Sequence, residues 1–170
     1  MLKEQIKDLK IKKIVHKGEY TTICRLDDER LLKVIDTQLE EMLKEAGESY
    51  EKRVTDTRGS VVEEIVSPLS AVYQIDRCCG FTMENVNGLV LEEYCKSLGL
   101  EFEYNLQKCA DLFARIEGVV KKANDNDIIM PDLCTHGNIM VQNDGKIRIV
   151  DYDGLQIKEN SSITISTALG

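Results

Sequence analysis

A lysine occupies the centre of an alternating apolar run, LLKVI, at Lys33. Far downstream, MPDLCTHGNIM places Asp132 and Asn138 six positions apart, and IRIVDYDG ends an apolar run on Asp151, Tyr152 and Asp153. In combination these residue types suit one chemistry. A compact ammonium on a rigid strand can neutralise phosphates lying over a sheet. An amide oxygen and a carboxylate are hard ligands of the kind Mg²⁺ takes. A further carboxylate can accept or orient the proton of an attacking hydroxyl. Each feature alone has a plainer use, as a strand with a snorkelling lysine, as solvated loop charges, or as a turn. A sharper reading is that together they hold a metal ion and a phosphoryl group, and the rest of the chain decides between the two.

Positioning such groups needs strands that end at a cleft. IKKIVHKGEYTTICRLDDERLLKVID reads as three strands. The first ends near Val15, TTICRL is the second and RLLKVI the third, with the acidic turn Asp27–Asp28–Glu29 joining the last two. TQLEEMLKEAGESYEKRV reads as one helix, N-capped by Thr37, with Leu39, Met42, Leu43, Ala46 and Tyr50 on one face. Gly47 weakens that helix in its middle. VSPLSAVYQIDRCCGFTMENV supplies two more strands, turning near Asp76 and Arg77. NGLVLEEYCKSLG opens with an Asn-Gly turn and continues as a short helix to Gly99. EYNLQKCADLFARIEGVVKKAN has the clearest helical period, through Leu106, Ala110, Leu112, Phe113, Ile116, Val119 and Val120, and lysines close its last turn. After it DIIM, IMV and IRIV read as short strands.

The 170 residues suffice for one ordinary domain or two small lobes around a cleft. A hydrophobic share of 42% and a charged share of 31% describe a soluble, folded chain. A formal net charge of -8 argues against a nucleic-acid-binding surface. No run approaches the roughly 20 apolar residues of a bilayer span. MLKEQIKDLKIKK lacks the apolar segment of a signal peptide. The expectation is a cytoplasmic protein with neither a nucleic-acid nor a membrane partner. Cys24, Cys78, Cys79, Cys95, Cys109 and Cys134 are scattered, with no C-x-x-C pair and neither His16 nor His136 at a zinc-binding interval. Reduced, buried thiols are expected.

This order of motifs resembles the protein-kinase-like superfamily, which includes the aminoglycoside and choline phosphotransferases, and the resemblance covers nearly the whole chain. LLKVI is similar to the third-strand V-A-I-K motif, which makes Lys33 the lysine that holds the α- and β-phosphates. GFTMENVNG resembles the fifth strand and hinge. Met83 would guard the back of an adenine pocket, and the Glu84 carbonyl and Val86 amide would face the purine edge. MPDLCTHGNIM stands where H-R-D-L-x-x-x-N would stand, giving Asp132 the substrate hydroxyl, Asn138 a Mg²⁺ and Met140 the floor of the adenine site. IVDYDG resembles D-F-G with a second acid, which makes Asp151 the other metal ligand. Val15, Gly18 and Leu31 complete the expected nucleotide contacts, and Glu45 is the helix glutamate expected to pair with Lys33.

The resemblance implies an α+β, protein-kinase-like, two-lobed fold. Residues 1–86 would form an N-lobe with a five-stranded antiparallel sheet plus one helix, with a hinge at 84–88. Residues 87–170 would form a reduced or cut-short, mainly helical C-lobe, since sixteen residues follow Gly154 and no A-P-E segment is present. It also implies ATP and Mg²⁺ as cofactors and a hydroxyl acceptor, a protein Ser/Thr ahead of a small alcohol. The sequence departs from the pattern in three places. Gly18 stands alone where a glycine-rich loop would be, and the Asp-to-Asn interval is one longer than the motif's. Met130 and Pro131 replace the His and Arg. The thin glycine loop, the lengthened interval and the short C-terminal part are what a nucleotide-binding pseudokinase or interaction module without turnover would show. His136 is expected to face water from the loop.

Overall fold

Local strand patterns in the first half of the chain produce five strands of a six-stranded sheet, and the second half combines the long helix with short strands. The computed structural model describes residues 1–98, 102–133, 135 and 137–158. In chain order the elements are β1 (Leu2–Gln5), β2 (Ile11–Lys17), β3 (Thr21–Leu26), β4 (Leu31–Ile35), α1 (Thr37–Glu45), α2 (Tyr50–Thr55), β5 (Ser70–Gln74), β6 (Arg77–Met83), β7 (Gly88–Val90), α3 (Leu91–Ser97), α4 (Phe102–Asp125), β8 (Ile128–Ile129), β9 (Ile139–Gln142), β10 (Ile147–Ile149) and β11 (Gln156–Ile157). The large sheet has the order β1-β5-β6-β4-β3-β2. Its five strands from β5 to β2 are all antiparallel.

The sixth strand was not expected. β1 lies parallel to β5, with Leu2 opposite Ser70 and Gln5 opposite Tyr73. A polar network holds it there. Arg30 donates to both Glu4 oxygens, at 2.6 and 3.1 Å, and to Thr82 Oγ1 at 3.2 Å. Ser70 Oγ donates to Glu4 and lies 2.5 Å from Thr82 Oγ1. Ser70 and Thr82 are buried, so their hydroxyls are satisfied inside the protein.

The expected single helix is two. Asp36, not Thr37, caps α1, accepting from the Leu39 amide at 2.9 Å. The helix ends because Gly47 adopts φ 75°, and the Glu48 amide reaches the Leu43 carbonyl at 2.8 Å while the Gly47 amide reaches Lys44 at 3.0 Å. Those two bonds form a Schellman motif, which closes a helix with a left-handed residue. Ser49 then caps α2 through the Lys52 amide. Met42, expected on the packed face, is exposed, whereas Tyr50 and Val54 of α2 are buried.

After β6 the chain crosses from the large sheet to a three-stranded sheet of order β10-β9-β7. Asn87-Gly88 is not the tight turn expected from its sequence, because Gly88 begins β7 opposite Gln142. A Cβ there would lie 2.6 Å from the Val141 carbonyl oxygen, so glycine lets the strands meet. β8 and β11 pair as a separate two-stranded sheet, which supports the expected strand character of DIIM. The main core joins one face of the large sheet to α2, α4 and the β9–β10 hairpin through Phe81, Met83, Leu112, Ile116, Ile139 and Ile149. On α4 the buried stripe is Leu112, Ile116, Val119 and Ala123, while Leu106 and Phe113 lie on another stripe of the helix and are exposed. A smaller cluster of Cys24, Leu26, Leu32, Val72 and Cys79 fills the opposite face of the sheet. Cys24, Cys78, Cys79, Cys95 and Cys109 are free thiols, and burial pushes Cys78 up to about 11. Gly99, Cys134 and His136 fall outside the described residues. No helix among the described residues is long and apolar enough to cross a membrane.

Candidate functional site

Lys33 lies mid-strand in β4, opposite Ile23 of β3 and Phe81 of β6. Strand alternation turns Leu32 and Val34 toward the smaller cluster, and Leu31 and Ile35 toward the main core. Lys33 shares the latter face. Gly80 permits this packing, since a Cβ on it would lie 2.2 Å from the Lys33 carbonyl oxygen. The lysine is 9% exposed, and its Nζ donates to Asp151 Oδ1 at 2.8 Å and to Asp153 Oδ1 at 2.6 Å. Burial pushes the ammonium toward neutrality, but the charges of Asp153 and Asp151 outweigh it and hold the lysine above its ordinary value.

Asp151 follows β10 after one intervening residue, Val150. That strand is fixed from outside by the segment after α2, since the Ile149 amide donates to Glu64 and the Val66 amide to Ile149, each at 2.8 Å. The Val150 amide donates to the Asn138 carbonyl at 3.0 Å, so the backbone carrying Asp151 is bonded to that carrying Asn138. Asn138 Nδ2 donates to the Asp132 carbonyl at 2.9 Å, and the Thr135 amide reaches the same oxygen at 3.0 Å. With its nitrogen thus committed, the side-chain oxygen is the Asn138 atom left to ligate a cation. The chain turns back through Gly137 at φ 93°, so the six-residue interval still brings Asn138 to Asp132.

Asp132, Asn138 and Asp151 line one recess of about 10 Å³ together with Met130, Gly154 and Leu155. Gly154 leaves room for the Asp151 carboxylate, because a Cβ at 154 would lie 2.1 Å from Asp151 Oδ2. Asn138 and Asp151 offer the hard oxygens that Mg²⁺ prefers, and such sites are commonly completed by water and phosphate oxygens. Among the described residues no cluster of three or more His, Cys, Asp or Glu side chains gathers at one point.

The expected nucleotide contacts fall into two groups. Leu31 lies opposite Met83 across β4 and β6, and Met140 of β9 lies opposite Val90. Met83 and Val86 are buried in the main core, against which Leu31 and Met140 pack. Glu84 forms an ion pair with Arg148 of β10, which ties the crossing segment to the hairpin. Gly18 sits in the β2–β3 turn, its amide bonded to Thr21, and Val15 is exposed on the edge strand β2. Glu45 is not brought to Lys33: it is exposed in the last turn of α1, and the carboxylates on the lysine are Asp151 and Asp153.

Asp153 was missed as a site residue. It lies in a 3-10 turn, Tyr152–Gly154, beside the buried Tyr50. Burial and the Asp153 charge push the Tyr50 hydroxyl well above its ordinary value. Arg53 Nη1 donates to the Asp153 carbonyl at 3.1 Å. The signal was present in Asp-Tyr-Asp, whose second acid stands two residues after Asp151, and both carboxylates reach Lys33. A wider cavity of about 540 Å³ opens between α2 and the Tyr152–Ile157 segment, but neither Lys33 nor Asp151 lines it. No model of a known protein family matches the chain, and no curated protein matches it significantly.

Proposed function

We propose that this chain is a protein-kinase-like phosphotransferase that moves the γ-phosphoryl group of ATP to a hydroxyl with Mg²⁺, a protein Ser/Thr being favoured over a small alcohol as acceptor. The large sheet with α1 and α2 corresponds in this reading to an N-lobe, residues 84–88 to a hinge and the rest to a reduced C-lobe. One observation carries the reading. A buried strand lysine and a strand-end aspartate, 118 positions apart, meet at 2.8 Å beside an Asp–Asn loop.

Lys33 holds positive charge where the α- and β-phosphates would lie. Asn138 and Asp151 would hold the metal, which when bound neutralises charge on the β- and γ-phosphates. Asp132, exposed at the recess, orients the acceptor hydroxyl and takes its proton. Leu31, Met83 and Met140 provide apolar contact for the base. Phosphoryl transfer asks mainly for positioning and charge neutralisation, which this set supplies. A second reading, a nucleotide-binding pseudokinase, is favoured by Gly18 standing alone and by the lengthened Asp-to-Asn interval. Incubation with Mg²⁺ and γ-labelled ATP, alone and with generic protein and alcohol acceptors, separates the two. Label transfer that disappears in Asp132→Asn supports the enzyme, and nucleotide binding without transfer supports the pseudokinase.

A further inference from the structure

Lys33 has two carboxylate partners of unequal setting. The Asp153 side chain is 7% exposed and the Asp151 side chain 25%. Asp153 is held by α2 as well as by the lysine. Its turn is anchored by Tyr152, whose buried ring packs against Gly59 and whose hydroxyl donates to the Asp56 carbonyl. Arg53 of α2 holds its backbone oxygen, and Tyr50 packs beside it. Asp151 instead borders the recess shared with Asp132 and Asn138. One ammonium between two carboxylates also leaves the group a net negative charge, which a second cation would balance.

We infer that Asp153 is the fixed anchor of Lys33, filling the place expected of a helix glutamate, and that Asp151 is the exchangeable partner released when a cation-bound nucleotide enters. Asp153 is thus a positioning residue that acts through Lys33. The release of Asp151 rests on the proposed phosphotransferase reading, whereas the anchoring of Lys33 does not. An anchor on the Tyr152–Gly154 turn aims the lysine through α2 and the turn after β10. The helix α1 then has no part in aligning the site, and its exposed Glu45 is dispensable for Lys33.

Two measurements on the full chain test this. In the ¹⁵N-labelled apo protein, an ammonium held in buried hydrogen bonds exchanges slowly enough with water to give its own NMR signal. That Lys33 signal should persist in wild type, Asp151→Asn and Glu45→Gln and be lost in Asp153→Asn. Its loss in Asp151→Asn, or its survival in Asp153→Asn, overturns the anchor. The second measurement needs no variant that could fail to fold. Aspartate carboxyl ¹³C signals of wild type are followed during titration with Mg²⁺ and a non-hydrolysable ATP analogue. The Asp151 carboxyl should move several times further than that of Asp153, and equal or reversed displacement contradicts the exchange. Displacement of neither carboxyl at any analogue concentration sinks the nucleotide reading and the exchange with it, while the apo ammonium signal still decides the anchor.

Discussion

Replacing Lys33 by methionine would strand two carboxylates that now share one ammonium. A solvated strand lysine would change stability by no more than a few tenths of a kcal/mol on removal. A buried, doubly paired one should cost about 3 kcal/mol, the lower end for stripping one partner from a buried ion pair. Urea unfolding of wild type and Lys33→Met reads the difference, and a change below ~0.5 kcal/mol would show the lysine to be solvated. ATP affinity should fall about tenfold or more, and Lys33→Arg should not restore it, because a planar fork cannot take the place of a compact ammonium. The strand lysine and the strand-end Asp151 were legible because both sit at fixed points of apolar runs. Glu45 was chosen because it flanks the face of Leu39, Met42 and Ala46, but Met42 and Ala46 are exposed, so that flank of α1 does not carry Glu45 to the lysine.

Gly47 offers the sharpest test at the scale of an element. Were residues 37–54 one helix, Gly47→Ala would raise stability by about 1 kcal/mol through helix propensity. Because the glycine adopts φ 75° in a Schellman cap, the same substitution should lower stability by about 1 kcal/mol. Thermal unfolding gives the sign directly. The latch of β1 makes a separate prediction. Hydrogen bonding to Arg30 holds the Glu4 carboxyl below its usual range, against the opposing effect of burial, and Ser70 assists. A carboxylate with a depressed folded value contributes stability that is present above about pH 4.3 and is lost as the pH falls through the folded value. Melting temperature followed from pH 6 to pH 3 should therefore drop more steeply for wild type than for Glu4→Gln. Parallel curves would contradict the latch. This strand was not legible, because MLKEQ carries no strong alternation and its place is set by Arg30, Ser70 and Thr82, all distant in sequence. The five antiparallel strands were legible because each bears its own local pattern.

At the scale of the whole molecule, the order of the motifs implied that Lys33, Asp132, Asn138 and Asp151 gather at one cleft, and in the structure Lys33 bonds to Asp151 and Asn138 to the Asp132 carbonyl. What the order did not convey is how the two parts are fastened. Backbone bonds between Ile149 and the segment after α2, at Glu64 and Val66, and the Glu84–Arg148 ion pair just beyond β6 tie the β9–β10 hairpin to the connections of the large sheet. Such bonds depend on main-chain placement and leave no compositional trace. The central claim is that Lys33, Asn138 and Asp151 together form a Mg-nucleotide site. Calorimetric titration of ATP into wild type and Asp151→Asn, each with Mg²⁺ and with EDTA, tests it most directly. Wild type should bind ATP at least tenfold more tightly with Mg²⁺ than with EDTA, a difference of about 1.4 kcal/mol, and Asp151→Asn should lose most of that gain. Equal affinity with and without Mg²⁺ in wild type, or an undiminished Mg²⁺ gain in Asp151→Asn, would contradict the account.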